Sequence, residues 1–431
     1  MKITSSYKVE ILHLHEPLKK TMAVSRAASA WLEPVIDGAW DRLSLLTREK
    51  ERFNTAEKLI HNTKKNTAAY AFDTVFPKMP SYLRRAVLQH VMGIVSSFHT
   101  RGGEKERKKI RTDGDHYMPV FYRDNMYRKE EDRVFLKLYN GRDWVWQEVQ
   151  LRKTDLAYLR RHWSDTKAES PVLVKKHRKY YLQFSFEEEV SLQEKAVSEQ
   201  TVCAVDLGIH NDAVCSIMRP DGTVAARKFV SHAAEKDRLY HVLNRVRKKQ
   251  REHGSRDVRG YWAYAARLNE EIARKTAGAI VKFAKEQGAD VIVFEYLETG
   301  GKTRGKNRQK LHLWKKRSVQ KIAEHQAHRA GIRISRVSAR NTSRLAYDGS
   351  GKVSREPENR SLAVFQNGKR YNSDLSASYN IGARYYLREL IKPVPETERS
   401  ALAAKVPAVQ RRTSCVYADL LKLQAVTAET A

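Results

Sequence analysis

Three acidic residues that are far apart in this chain each stand at one end of an apolar run. Asp206 follows V-C-A-V (202–205), Glu295 follows V-I-V-F (291–294), and Asp374 opens a helical pattern that continues to residue 390. A single acid at a strand end is usually a cap or a turn residue. Here the second acid lies on a β-branched run and the third opens a helix, and this order favours a carboxylate cluster that holds hard divalent cations.

The charge of the chain indicates what such a cluster acts on. The 431 residues include 81 Lys and Arg against 50 Asp and Glu, a net charge of +31. A surface this basic releases condensed counterions when it meets a polyanion, so a nucleic acid is the expected partner. A basic solvated surface, or a ribosomal or membrane-surface protein, is the alternative. It is weakened because 41% of the residues are hydrophobic and can form a core.

The sequence does not support a membrane protein or a disulfide-stabilised protein. The first thirty residues include Lys19, Lys20 and Arg26, and no apolar run reaches about 18 residues, so we expect a cytosolic protein without a membrane partner. Three widely spaced cysteines predict neither a disulfide framework nor a C-x-x-C zinc site. They are expected to be buried small apolar residues: Cys203, Cys215 and Cys415.

The first half of the chain alternates between strand and helix patterns. Residues 3–14 alternate like a strand, residues from 16 to about 60 have helical spacing with Pro34 early in a second segment, and strand patterns return from M-P-V-F-Y (118–122) to residue 186. We predict a β-barrel domain with a helical insertion between its first and second strands. Its parts are the first strand (1–15), the insertion (16–112) and the rest of the barrel (113–197).

The second half has a different order of elements. Strand patterns at 202–205, 212–218 and 224–230 precede two helices that end near residue 287. A strand (291–294), a helix, a strand (333–337) and a final helix follow. This succession predicts an RNase H-like α/β nuclease domain over residues 198–392, followed by a C-terminal tail (393–431).

Three motifs carry a resemblance to a known family. They are D-L-G-I-H-N (206–211), E-Y-L (295–297) and D-L-S-A-S-Y-N-I (374–381). In this order they resemble the RuvC nuclease of TnpB, a transposon-encoded RNA-guided endonuclease, and of the compact type V CRISPR effectors derived from it. The resemblance covers essentially the whole chain. It implies that the barrel is a wedge domain, that the insertion is a recognition domain and that the three acids are catalytic.

One departure from the family lies in the segment 338–372. Relatives usually carry two C-x-x-C pairs before the third acid, and here R-L-A-Y-D-G-S-G and A-V-F-Q-N-G-K-R-Y stand in their places without cysteine. The tripeptide N-T-S (341–343) still resembles the start of that zinc knuckle. We expect this segment to be held by ordinary packing or by nucleic acid, and we expect no zinc, which fits a diverged branch of the family.

The resemblance implies two-metal phosphodiester hydrolysis. Asp206 would bridge two Mg²⁺ ions, for which Mn²⁺ can substitute, and Glu295 and Asp374 would complete the two sides. One ion generates the attacking hydroxide and the other stabilises the leaving 3′-oxygen. Gly208 would allow a tight turn after the first ligand, or simply a hairpin, while the small pair Ser376 and Ala377 would let a phosphate approach.

A basic segment directly after the second acid is a candidate nucleic-acid contact. Residues 300–317 contain eight Lys or Arg and no acid. A charge run is usually a solvated surface, but beside a catalytic carboxylate we interpret it as a lid that contacts the strand to be cut. The cations are Lys302, Arg304, Lys306, Arg308, Lys310, Lys315, Lys316 and Arg317.

The function implied is RNA-guided DNA cleavage, with a guide RNA and a double-stranded target DNA as partners. The barrel and helical insertion would read a short flanking DNA motif. One alternative is an RNA-guided repressor without cleavage, although such descendants lose one or more of the acids. The other is an actin- or hexokinase-like phosphotransferase, which would need a further glycine-rich phosphate loop. The sequence leaves open whether the protein is a monomer or a homodimer.

We predict that the purified protein carries no stoichiometric zinc. Four Cys or His ligands are needed for a structural zinc site, and the three cysteines are dispersed and have no H-x₃₋₅-H pair beside them. Metal analysis of the purified protein tests this. One zinc per chain would show that distant His and Cys residues converge.

Overall fold

The computed structural model describes most of the chain: residues 1–100, 117–130, 133–176, 178–208, 211–253, 258–296, 316–356, 359, 361–407, 410 and 414–428. Two compact units are present, Lys2–Glu189 and Val190–Ala431, with Met1 belonging to the second. Among the helices in these ranges, none has the length and apolar character needed to cross a membrane.

The unit Lys2–Glu189 contains two three-stranded antiparallel sheets. In the first sheet β1 (Lys2–Ile11) pairs with β6 (Lys179–Glu189), which pairs with β5 (Val172–Lys176). The second sheet consists of β2 (Tyr127–Glu130), β3 (Arg133–Tyr139) and β4 (Trp144–Val149). A bridge from Ile11 to Leu151 joins the two sheets at one side. The helices are α1 (His15–Gly38), α2 (Trp40–Ser44), α3 (Glu49–Ile60), α4 (Phe72–Val75), α5 (Ser81–Thr100) and α6 (Lys153–Trp163).

Two local predictions for this unit are wrong. Residues 118–122 form no strand and make only the isolated bridge from Val120 to Val172. Pro34 does not begin a second segment, because α1 continues through it to Gly38. A proline inside a helix removes one backbone hydrogen bond and crowds the carbonyl four residues earlier, and the burial of Leu32 and Ile36 on either side stabilises the helix against this cost.

The second unit is built on a five-stranded mixed sheet in the order β11-β10-β7-β8-β9. Strands β7 (Val202–Asp206), β8 (Ala213–Met218) and β9 (Val224–Val230) are antiparallel, whereas β10 (Val291–Tyr296) and β11 (Arg333–Ser338) run parallel to β7. A small antiparallel sheet contains β12 (Ser354–Arg355), β13 (Leu362–Val364) and β14 (Arg370–Asn372). The helices are α7 (Ala233–His253), α8 (Arg259–Glu286), α9 (Lys316–Arg329), α10 (Ser373–Ile391), α11 (Glu396–Lys405) and α12 (Tyr417–Ala428).

Helices cover both faces of the mixed sheet. Cys203 and Phe294 pack on one face against residues of α8 and α9, and Ala204 and Val293 pack on the other face against α10. Every residue of β7 is therefore buried, which explains its uninterrupted apolar run. The α/β class predicted for this half of the chain is confirmed. All three cysteines are free and buried, as expected from the sequence.

An aromatic cluster holds the segment that carries zinc ligands in the resembling family. The ring of Tyr347 lies 5.0 Å from Tyr371, 5.3 Å from Tyr379, 5.7 Å from Phe365 and 5.9 Å from Tyr417, measured between ring centroids. Tyr347 and Tyr371 also pack against the buried core of this segment. Ordinary packing therefore connects the small sheet β12–β14 to α10 and α12.

Candidate functional site

The parallel register of β7 and β10 places the first two acids at one edge of the sheet. Val205 is aligned with Phe294, so Asp206 and Glu295 are the next residues on two adjacent strands that run in the same direction. Asp206 is buried and Glu295 is half-buried. Because both strands end at this edge, their carboxyl groups lie outside the apolar core.

The third acid reaches the same edge from the first turn of α10. The side chain of Asn372 caps this helix by accepting a hydrogen bond from the Leu375 N–H at 2.9 Å. Asp374 Oδ1 accepts a hydrogen bond from the Ser373 hydroxyl at 3.1 Å, and Oδ2 accepts one from the Asn211 amide at 3.4 Å. The last residue of the first motif thus contacts the acid of the third motif.

Position 208 requires glycine because the backbone of Asn211 approaches it closely. A Cβ atom at this position would lie 2.7 Å from the carbonyl oxygen of Asn211 and 3.6 Å from Asp374 Oδ2. Any side chain would therefore clash with the Asn211 carbonyl and distort the turn that carries Asn211. The interpretation of Ser376 and Ala377 as room for a phosphate is wrong, because both are buried and the Ser376 hydroxyl accepts a hydrogen bond from the Tyr347 N–H.

The three acids form one electrostatic group. The pKa of Asp206 is raised well above its ordinary value, first by burial and then by the negative charges of Glu295 and Asp374. Arg355, on β12, acts in the opposite direction and favours the ionised form of Asp206. The structure therefore brings together all three acids that the sequence singles out, together with one arginine that it does not.

These acids have the right chemistry for a divalent cation, but their side chains do not form a complete ligand set around a single ion. Carboxylate oxygens are hard donors that suit Mg²⁺, and a bound cation would offset both the burial and the acidic neighbours that raise the pKa of Asp206. Across the described ranges, however, no group of three His, Cys, Asp or Glu side chains is placed so that it could hold a metal ion. Two ions that share the acids do not require all three side chains on a single ion.

Three polar residues that the sequence analysis missed lie around Glu295 and around the loop 339–347, which contacts it. The Thr342 hydroxyl donates a hydrogen bond to Glu295 Oε1, and the Gln320 amide donates one to the Glu295 carbonyl at 2.9 Å. Asn380 in turn donates to the carbonyl of Thr342 at 2.9 Å. Thr342 and Asn380 stand in quoted motifs and could have been suspected. Gln320 has no sequence signal, because its contact depends on how α9 packs.

Most of the basic segment lies outside the described residues. Only its last two cations are placed, at the start of α9, where Arg317 is exposed. The cations whose positions are not described are Lys302, Arg304, Lys306, Arg308, Lys310 and Lys315.

A second candidate site is a groove between α3 and α5 in the unit Lys2–Glu189. Two cavities of about 580 Å³ and 550 Å³ lie along it, and Asn54, Tyr82 and Arg85 line both of them. Tyr82 is 47% exposed, and its ring centroid lies 5.4 Å from that of Tyr122, which lines the larger cavity. We call this feature the α3/α5 groove.

The exposed face of α5 gives the α3/α5 groove its chemistry. Tyr82, Arg85 and Gln89 recur at helical spacing on one face, and all three are exposed. The Arg85 guanidinium lies 4.9 Å from the ring centroid of Phe53 and 3.6 Å from a carboxylate oxygen of Glu57, so it is supported from α3. An exposed aromatic ring beside an arginine and two carboxamides is a set of groups that reads nucleobases.

Replacing Asp206 with Asn should stabilise the metal-free protein at neutral pH. Relief of about 1 kcal/mol of charge burial and repulsion would raise the melting temperature by roughly 2–4 °C in a unit of this size. Because the folded-state pKa of Asp206 is raised above its ordinary value of 3.8, wild-type stability falls as pH rises from 3.8 through that folded-state pKa. The advantage of the variant should therefore grow with pH across this window.

Melting curves in EDTA from about pH 5 to about pH 8 measure this effect. Asp237→Asn, at an exposed acid on α7, is the matched control and should change little. Equal melting temperatures of Asp206→Asn and wild type at every pH would contradict the raised pKa of Asp206.

Comparison with known proteins supports the fold. The Aq_aa04 family model matches residues 4–140, and no curated protein matches the chain. CasPhi-2 (Cas12j) bound to crRNA and phosphorothioate-DNA is 10% identical with a TM-score of 0.51, over 89% of this chain and 91% of that one. CasPhi-2 bound to crRNA is 11% identical with a TM-score of 0.49, over 88% of this chain and 97% of that one. C2c1 of Alicyclobacillus acidoterrestris with single-guide RNA is 10% identical with a TM-score of 0.46, over 78% of this chain and 63% of that one. The chain thus has a mixed α/β fold similar to that of Cas12j.

Proposed function

We propose that this protein is an RNA-guided DNA endonuclease whose second unit is an RNase H-like (RuvC) nuclease domain. The observation that carries the proposal is the electrostatic grouping of Asp206, Glu295 and Asp374 at one edge of the mixed sheet. The net charge of +31 and a fold similar to that of Cas12j support it. In this proposal the first unit is the wedge barrel with its recognition insertion, and the partners are a guide RNA and a double-stranded DNA target.

The three carboxylates would hold Mg²⁺ ions. Bound Mg²⁺ would activate the attacking water and neutralise charge on the leaving oxygen. Asn211 orients Asp374, and Thr342 orients Glu295, so two of the three acids are held by neutral hydrogen-bond donors. Arg355 acts on Asp206, the most buried of the three acids, and would add positive charge next to the phosphate group of the DNA that is cleaved.

A guide-directed DNA-binding protein without cleavage is the second candidate. One observation favours it, the absence from the described ranges of three acidic, His or Cys side chains placed to hold one ion. The presence of all three acids, and the pKa of Asp206 raised by burial and then by its two acidic neighbours, favour the nuclease. Cleavage and binding measured on the same complex separate the two candidates.

We expect Asp206→Ala, Glu295→Ala and Asp374→Ala each to reduce Mg²⁺-dependent cleavage to background while guided DNA binding persists. The carboxylates serve the cations and not the heteroduplex, so their loss removes chemistry without removing affinity. Cleavage of a target plasmid and a binding assay with the same guide measure both effects. Asp237→Ala, at an exposed acid outside the site, serves as the control and should cleave normally. A variant at one of the three acids that keeps near wild-type cleavage would remove that acid from the site.

We also propose that the α3/α5 groove reads the short DNA motif that flanks the target. Arg pairs with guanine edges, and Asn and Gln pair with adenine edges, so Arg85, Asn54 and Gln89 can distinguish bases directly. The exposed ring of Tyr82 can stack on a base or on the sugar beside it. This assignment gives the helical insertion a specific task within the proposed function.

Arg85→Ala and Gln89→Ala should each lower cleavage of a duplex target by about 5- to 150-fold, because one base-edge contact is worth about 1–3 kcal/mol. Each should also relax the preference among flanking sequences. Cleavage of a library with randomised flanking positions measures both effects. The matched control is Arg42→Ala, which removes an exposed arginine of α2 that lines neither cavity. An unchanged flanking preference in both groove variants would place motif reading elsewhere.

A further inference from the structure

We infer that Thr342 is a positioning residue that keeps the Glu295 carboxylate directed at the metal site, and that Asn380 fixes the loop on which Thr342 stands. The inference rests on the proposed function and adds residues to it. It assigns a role to the N-T-S tripeptide (341–343) that does not depend on zinc, and to the asparagine of the third motif, which lies away from the acids.

The first contact is between two side chains. The Thr342 hydroxyl donates to Glu295 Oε1, and Thr342 is only 2% exposed, so the hydroxyl side of this bond is shielded from water. A hydrogen bond from a neutral donor to an ionised acceptor is stronger than a bond between neutral groups. The carbonyl of Ala339 lies 3.0 Å from the same hydroxyl and is a second acceptor for it. This contact favours the same rotamer of the Thr342 side chain.

The second set of contacts fixes the loop itself. Asn380 is fully buried, and its amide donates to the carbonyls of Thr342 at 2.9 Å and Leu345 at 3.0 Å. Its side-chain oxygen accepts a hydrogen bond from the Tyr417 N–H at 3.0 Å. Both donors and the acceptor of this side chain are therefore used, so the asparagine defines one loop conformation.

Arg384, which also lies on α10, holds the beginning of the loop. Arg384 Nη1 donates to the carbonyls of Ser338 at 2.7 Å and Arg340 at 2.8 Å. Its Nε donates to the carbonyl of Cys415 at 3.0 Å, and the side chain is buried. One rigid helix therefore carries Asp374 in its first turn and fixes the loop that orients Glu295.

Electrostatics explains why Glu295 needs such a support. It is the next-to-last residue of β10 and half-buried, and its negative charge and that of Asp206 repel each other. Without the Thr342 hydroxyl, the carboxylate would gain by turning towards solvent. Cation binding would then have to bring it back, so the affinity for Mg²⁺ would fall.

The test compares Thr342→Val, which keeps the shape but removes the hydroxyl, with Thr342→Ser, which keeps the hydroxyl. The matched control is Ser343→Ala, the next hydroxyl on the same loop. The melting temperature of each protein is measured across a Mg²⁺ titration, because a ligand that binds only the folded state raises it with concentration. Mg²⁺ dependence of cleavage is measured in parallel.

We expect Thr342→Val to need about 10–100-fold more Mg²⁺ in both titrations, the usual effect of removing a hydrogen bond to a metal ligand. Thr342→Ser and Ser343→Ala should remain within about threefold of wild type. A merely structural role would lower the melting temperature in EDTA without shifting the Mg²⁺ dependence. If Thr342→Val does not fold, Thr342→Ala against Thr342→Ser gives the same comparison.

The outcomes separate the inference from the proposed function. Wild-type cleavage with an unchanged Mg²⁺ dependence in Thr342→Val would overturn the inference alone. A wild-type protein that shows neither a Mg²⁺-dependent melting shift nor cleavage would overturn the proposed nuclease function, and the inference with it. A shift in Thr342→Ser as large as that in Thr342→Val would show that shape, and not the hydroxyl, matters.

Discussion

The parallel pairing of β7 with β10 is the contact on which the site depends. Side chains alternate between the two faces of a sheet, so a slip of one residue would move each strand's apolar set to the wrong face. Cys203 and Phe294 pack under α8 and α9, while Ala204 and Val293 pack under α10. This two-sided burial fixes the register and thereby puts Asp206 beside Glu295. Apolar packing thus enforces a grouping of acids that their own charges oppose.

Helix α10 is locked against the sheet along its length. Its first turn is capped by Asn372, its middle is tied to the loop 339–347 by Asn380, and Arg384 donates to the carbonyls of Ser338 and Arg340 at the beginning of that loop. Further along, the Tyr386 hydroxyl lies 2.6 Å from the carbonyl of Gln200 and 2.8 Å from that of Met218. A helix held in this way cannot move Asp374 without disturbing the loop that supports Glu295.

The aromatic cluster around Tyr347 stabilises the segment 338–372 by ordinary packing. A few short strands bury too little apolar surface to be stable alone, and large rings add to that surface here. Lys369 donates to the Tyr347 hydroxyl at 2.7 Å and lies 5.0 Å from the centroid of that ring, which shields one side of the cluster. The cluster continues into Tyr379 of α10 and Tyr417 of α12, so the segment is stabilised by the rest of the unit.

Local patterns were enough to predict the α/β class of the second half, the five strands of its mixed sheet and the three acids, because apolar periodicity and strand-end carboxylates can be read from neighbouring residues. The net charge likewise indicated a nucleic-acid partner without coordinates. The folded chain was needed to show that Pro34 stays inside a helix, that Ser376 and Ala377 are buried packing residues, and that Arg355 and Gln320 stand near the acids. It alone assembled the α3/α5 groove and the Thr342–Glu295 contact. These features join residues distant in the chain, and their physical cause is packing, which no local pattern encodes.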